Sequence, residues 1–152
     1  VVMLSQENYM ELFRRSICVG RRIKIVARAN LERIGYTWPE FDTLRSIRDD
    51  GAVQLSDLSK KLERQKSNQV PIINSFEEKG FINRKRDPDD RRVIWITLTE
   101  KGKEEKKRLI EFQRSFIINF LCGLDEDFVK GFIKDLDEMN KYLDRMDENG
   151  QI

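Results

Sequence analysis

RKRDPDDRRVIWITLTEKG, residues 84–102, decides how the rest of the chain is read. Its first nine residues hold five Lys or Arg and three Asp around one proline, and an alternating apolar run follows at once. Aspartate before proline favours a type I turn, because Pro88 holds φ near the value the turn needs and Asp87 can bond the backbone just downstream. The pattern predicts strands over 81–86 and 91–98 around Asp87-Pro88-Asp89-Asp90. In the second strand Ile94, Ile96 and Leu98 fall on one face, Val93, Trp95 and Thr97 on the other.

Upstream of this hairpin the apolar spacing is helical. Residues 67–79 carry Val70, Ile72, Ile73 and Phe76, and Gly80 stops the run. Pro71 lies inside it, where proline costs about 3 kcal/mol. The expected escape is a late start, with Asn68 as the cap and Pro71 as the third helical residue. Before it, Ser56 is expected to cap a helix with Leu58 and Leu62 inward, after a short strand at 52–54 and a turn at Asp50-Gly51. Thr37-Trp38-Pro39-Glu40 reads as a helix start: Thr37 caps, Glu40 reaches back, and Pro39 sits in the first turn where no donor is needed. That helix points Phe41, Leu44 and Ile47 inward.

Long helices flank this middle. Residues 5–34 repeat Leu12, Phe13, Ile17, Ile23, Ala27, Leu31 and Ile34 at helical spacing, and Gly35 ends the run. After the hairpin, Thr99 caps a helix amphipathic through Leu109, Phe112, Phe116 and Phe120. Gly123 breaks it, and Asp125 caps a last helix with Val129, Phe132, Leu136, Met139, Leu143 and Met146, the alternation of three and four of a packed seam.

The composition fits one domain. The chain has 152 residues, 39% apolar and 37% charged, enough for one core. Histidine is absent, which removes the usual general base and the commonest metal ligand, so no catalytic or metal site is expected. Cys18 and Cys122 have no paired spacing and read as small buried hydrophobes. No apolar run approaches the roughly 18 residues of a membrane span, and a cytoplasmic protein with no membrane partner is expected. The net charge is +2 but uneven: residues 64–92 hold eight Lys or Arg against five acids, and residues 125–148 four against nine. The middle suits a polyanion.

The expected fold is therefore mainly α with a small β-hairpin: a winged helix-turn-helix over 36–99, flanked by long helices over 5–34 and 100–147. A helix of the 67–79 kind is sized for a DNA major groove, and a basic hairpin reaches the neighbouring backbone or minor groove. Candidate base contacts are Gln65, Lys66, Ser67, Asn68, Gln69 and Asn74, since amides suit adenine. Arg84, Lys85 and Arg86 supply charge. Arg91 and Arg92 at the tip suit the concentrated negative potential of a narrow minor groove, with Asp90 holding one of them through a charge-assisted pair. Arg14, Arg15, Arg21, Arg22 and Arg28 line the first helix as a solvated face or a phosphate contact. A winged helix used only for docking proteins is the alternative.

At these residues the chain resembles the MarR family of transcriptional regulators. Asp90-Arg91-Arg92, five residues, then Leu98-Thr99-Glu100-Lys101-Gly102 fit the family's wing signature at each fixed position. Thr37-Trp38-Pro39-Glu40-Phe41 and Phe76-Glu77-Glu78-Lys79-Gly80-Phe81-Ile82 extend the likeness. The resemblance implies a homodimer with its first and last helices intertwined, gripping a pseudo-palindromic operator in double-stranded DNA. It implies a ligand-responsive repressor without a resident cofactor, whose effector is a small aromatic or anionic molecule in a cleft; Cys18, Trp38, Phe41 and Phe112 are the candidate walls. In the family's peroxide-sensing subgroup the first helix carries an early cysteine; Phe13 holds that position here, so peroxide sensing by that route is not expected.

Overall fold

The computed structural model describes residues 5–148. Six helices and three short strands follow in the order α1 (Gln6–Glu32), α2 (Trp38–Ser46), β1 (Val53–Gln54), α3 (Leu55–Lys61), α4 (Lys66–Glu78), β2 (Ile82–Arg86), β3 (Ile94–Leu98), α5 (Glu100–Leu121) and α6 (Glu126–Glu148). The strands form one antiparallel sheet in the order β1-β3-β2, with Arg84 opposite Ile96 and Val53 on the other side of Ile96. Among the described residues no helix is long and apolar enough to cross a membrane.

Local chemistry sets most boundaries as expected. The Thr37 hydroxyl accepts the Glu40 N–H, and the Glu40 carboxylate accepts the Thr37 N–H at 2.8 Å, a complete capping box with Pro39 in the first turn. Asp125 accepts the Phe128 N–H at 3.0 Å and starts α6. Gly35, Gly51 and Gly80 stand at φ +77°, +82° and +71°, the left-handed region in which a glycine avoids a Cβ clash. Glu63, between α3 and α4, adopts φ +50° without being glycine, at a cost of roughly 1–2 kcal/mol.

Two helix starts differ from expectation. α3 begins at Leu55 with Gln54 as its cap residue, and Ser56 is already helical, its hydroxyl donating to Gln54 Oε1 at 3.2 Å. Leu55 is buried, and pulling that leucine under the lobe brings the start forward. α4 begins at Lys66, not after Asn68, so Pro71 is its sixth residue and lies inside the helix. Its missing N–H leaves the Ser67 carbonyl without that helical bond, on a stretch where Ser67 and Pro71 are both exposed to solvent. The penalty of about 3 kcal/mol is outweighed by complete burial of Ile73 and Phe76, at about 1.5–3 kcal/mol each.

The chain divides into two compact units between Phe116 and Ile117. In the first, Leu31, Phe41, Leu44, Ile47, Leu55, Leu58, Ile73, Phe76, Phe81, Ile82, Ile96, Leu98 and Leu109 form the core. The last turns of α1 and the middle of α5 belong to it, through Ala27, Asn30, Leu31, Leu109 and Gln113; the flanking helices thus share the core of the 36–99 lobe. Leu12, Phe13, Ile17 and Ile23 of the same helical repeat are exposed, because the lobe reaches only the C-terminal end of α1. Cys18 and Cys122, expected buried, are also exposed, since Cys18 sits on a face of α1 outside that core and Cys122 in the turn after α5.

In the second unit α6 has no buried residue. Phe132, Leu136 and Leu143 lie along it largely open, and the Phe128 and Phe132 rings stack at 5.8 Å.

Candidate nucleic-acid interface

The interface is built where α4 and the β2–β3 hairpin leave the same core. α4 buries Gln69, Ile73 and Phe76, and this stripe turns Gln65, Lys66, Ser67 and Asn68 to solvent at its first turn. No side chain caps that turn. Its free N–H groups and the Lys66 ammonium make a positive end suited to an anion. On the hairpin, Lys85 and Arg86 at the end of β2 and Arg91 and Arg92 in the loop are exposed.

Four of the candidate contact residues make their contacts within the protein. Gln69 is completely buried, and its amide donates to the Thr43 hydroxyl at 2.7 Å, so it cannot reach a base. The sequence carried the signal: Gln69, Ile73 and Phe76 are spaced at i, i+4 and i+7, one helical stripe. Asn74 Oδ1 accepts from Arg84 Nη1 at 2.9 Å, while Arg84 Nη2 meets Glu77 at 2.7 Å. Asn74 and Arg84 therefore engage each other and tie α4 to β2, while Lys85 and Arg86 of β2 have no ion pair among the described residues. Asp90 does not hold an arginine by its guanidinium. It accepts the Arg92 main-chain N–H at 2.9 Å, and among the described residues no ion pair joins it to Arg91 or Arg92.

The tip is organised instead by Asp87, a residue the sequence offered only as a turn former. Its Oδ1 accepts the Asp89 and Asp90 N–H groups at 3.0 and 3.1 Å, and its Oδ2 accepts the Trp95 indole N–H at 2.8 Å. The indole bond, with those two backbone donors, holds the Asp87 carboxyl below the usual carboxylate range. Asp87 N–H also bonds the Val93 carbonyl at 3.0 Å and closes the loop. The turn aspartate was visible in Asp-Pro-Asp-Asp; its pairing with an indole eight residues on was not.

The hairpin's root is fixed by the Leu98-Thr99-Glu100-Lys101-Gly102 stretch. Thr99 Oγ1 donates to the Gly80 carbonyl at 2.7 Å and accepts the Gly102 N–H at 3.0 Å, while Thr99 N–H bonds the Phe81 carbonyl at 3.0 Å. A Cβ on Gly102 would stand 1.9 Å from that same Phe81 oxygen, so only glycine lets α5 start against the strand.

The suggested cleft residues do not share one site. Phe41 belongs to the core, and Trp38 lies against it with ring centroids 5.7 Å apart. Cys18 instead lines a surface hollow of α1 with Arg14, Arg15 and Arg21. Phe112 is half-buried on α5.

The sequence pattern of the MarR family matches residues 36–94, the span that carries α2 to the start of β3. Over that span the chain is similar to the MarR family. Members of the MarR family are winged helix-turn-helix transcriptional regulators rather than enzymes. Among its relatives, the HTH-type transcriptional regulator YwhA of Bacillus subtilis is 32% identical over 90 residues, 59% of this chain and 65% of YwhA. The transcriptional repressor MprA of Escherichia coli is 24% identical over 148 residues, 95% of this chain and 84% of MprA. The crystal structure of Streptococcus pneumoniae FabT in complex with DNA matches 91% of this chain and 99% of FabT, with a TM-score of 0.69 at 23% identity. The last likeness is one of fold.

Proposed function

We propose that the protein is a dimeric, sequence-specific binder of double-stranded DNA that represses transcription from a pseudo-palindromic operator. The carrying observation is that one compact lobe exposes the polar start of α4 and a cationic hairpin tip together. Gln65 to Asn68 then read base edges in the major groove, while Arg91 and Arg92 track minor-groove potential beside it. FabT, of the same fold, was crystallised with DNA, and MprA is named a repressor; both support the reading. Dimerisation is supported by the open apolar faces of α1 and α6, where Met10, Phe13, Ile17, Leu136 and Leu143 are each at least 44% exposed, more hydrocarbon than a lone chain keeps in water. A small aromatic or anionic effector that releases the DNA completes the proposal.

Selection of bound duplexes from a random pool, followed by affinity measurements against salt, tests this. Arg91→Ala or Arg92→Ala is expected to weaken all duplexes and lower the salt slope by about one, and Asn68→Ala to cost roughly 1–3 kcal/mol on the selected duplex only. Leu136→Glu with Leu143→Glu is expected to abolish the dimer in sedimentation, and operator binding with it. Duplex affinity that ignores these changes and salt alike moves the protein-docking alternative ahead. Repeating the binding with and without aromatic acids tests release.

A further inference from the structure

Four side chains join the start of α4 to α2, and all are withdrawn from the surface. Thr43 and Gln69 are completely buried, and the Asp42 and Arg64 side chains are 12% and 19% exposed. The Thr43 hydroxyl donates to the Pro39 carbonyl at 2.7 Å, which commits its only proton. Toward its other neighbours it accepts: from the Gln69 amide at 2.7 Å and from Arg64 Nη1 at 3.3 Å. That fixes which way the amide points. Arg64 Nη1 also reaches the Pro39 carbonyl at 3.2 Å, and its Nη2 meets Asp42 at 2.9 Å.

The amide orientation leaves Gln69 Oε1 buried with no donor among the described residues. An unsatisfied buried carbonyl destabilises a fold, whereas an apolar side chain of similar length would fill the space without that loss. Thr43 would stay satisfied by Pro39 and Arg64. Stability therefore does not account for the glutamine. The network instead imposes one geometry. Arg64 anchors the chain just before α4, Gln69 anchors it one turn inside, and Gln65 to Asn68 are suspended between these two points.

We propose that Asp42, Thr43, Arg64 and Gln69 are positioning residues that set the rotation of α4 on the lobe, and thereby the discrimination between DNA sequences, without touching DNA. This rests on the DNA-reading function proposed above.

The test compares a duplex selected from a random pool with a scrambled one, by fluorescence anisotropy over a salt series, alongside thermal melting. Gln69→Met is expected to melt no lower than wild type yet to lose about tenfold in preference for the selected duplex, comparable to the loss of one well-placed base contact. Arg64→Lys keeps the charge but not the forked geometry, and is expected to lose preference with its salt slope unchanged. Thr43→Val is expected to lose preference and Thr43→Ser to restore it. The role is overturned if wild type discriminates and these variants discriminate equally well, or if both duplexes weaken together in step with the melting temperature. It is also overturned if Arg64→Lys is neutral while Arg64→Ala weakens both duplexes and lowers the slope by about one, the mark of a phosphate contact. A wild type without any preference overturns the proposed function itself, and the positioning role with it.

Discussion

Gly102→Ala is expected to destabilise the protein severely, although alanine is the better helix former. The added methyl would lie 1.9 Å from the Phe81 oxygen and 2.8 Å from its carbonyl carbon, where a close carbon–oxygen contact is about 3.3 Å. Both obstacles are backbone, so no side chain can swing aside; α5 and the start of β2 must part by more than about 1 Å. That movement breaks the bonds Thr99 makes to the Phe81 and Gly80 carbonyls, about 1 kcal/mol each. Overpacking adds about 1–3 kcal/mol, and helix propensity returns about 1 kcal/mol. The net loss is about 2–4 kcal/mol, roughly 5–15 °C in melting temperature for a chain of this size. Far-UV circular dichroism at fixed protein concentration measures it. Gly131→Ala on α6 is the matched control: nothing lies within 4 Å of its Cβ position, so it is expected to gain roughly 0.5–1 kcal/mol. A Gly102→Ala protein that melts like wild type would refute the steric argument.

Pro71→Ala restores an N–H toward the Ser67 carbonyl, and is expected to raise stability by about 2 kcal/mol once greater freedom of the unfolded chain is allowed for; a lower melting temperature contradicts this. Asp87→Ala in a Trp38→Phe background, where Trp95 is the remaining tryptophan, is expected to shift indole emission to the red and weaken all duplexes; unchanged emission would mean that Asp87 does not hold the tip. Because the Asp87 carboxyl is held low, its hold is present above the ordinary aspartate value of about 3.9 and is lost only as pH falls through the lower folded value, so wild-type emission should stay constant down to that range. Tyr36 donates to Glu105 at 2.6 Å, and burial, reinforced by that carboxylate, raises the phenol's pKa. A raised pKa stabilises fully below the unfolded value of about 10 and loses its effect as pH climbs toward the folded one. On the alkaline side the lead of wild type over Tyr36→Phe in melting temperature should therefore shrink only in strong alkali, and a lead that is already shrinking at neutral pH is inconsistent with the buried pair.

The features legible in the sequence are those settled within a few residues. Thr37 and Glu40, Asp125 and Phe128, and the alternation of Ile94, Ile96 and Leu98 each find their partners inside one turn or one strand, and they came out as expected. The surprises depend on distant partners. Arg64 meets Asp42 from 22 residues away, and Lys106 closes the end of α2 through the Ile47 carbonyl from 59. Local propensity misplaced the start of α4 because Pro71 argues against a helix that Ile73 and Phe76 impose from the core. Helical periodicity did mark the apolar faces that carry Phe13, Ile17 and Leu136, and these faces are open in the structure.

β1 has only two residues, yet it stands on the far edge of β3 and leads directly into α3. That short clip roots the hairpin in the same lobe as the helix pair, while residues 87–93 at its tip are closed by their own hydrogen bonds. Descendants of this sequence can thus lengthen or recode the tip without disturbing the root, and can alter the exposed start of α4 without disturbing the tip. Under the proposed function, two vocabularies, one for each groove, are free to diverge at separate rates on a shared grammar.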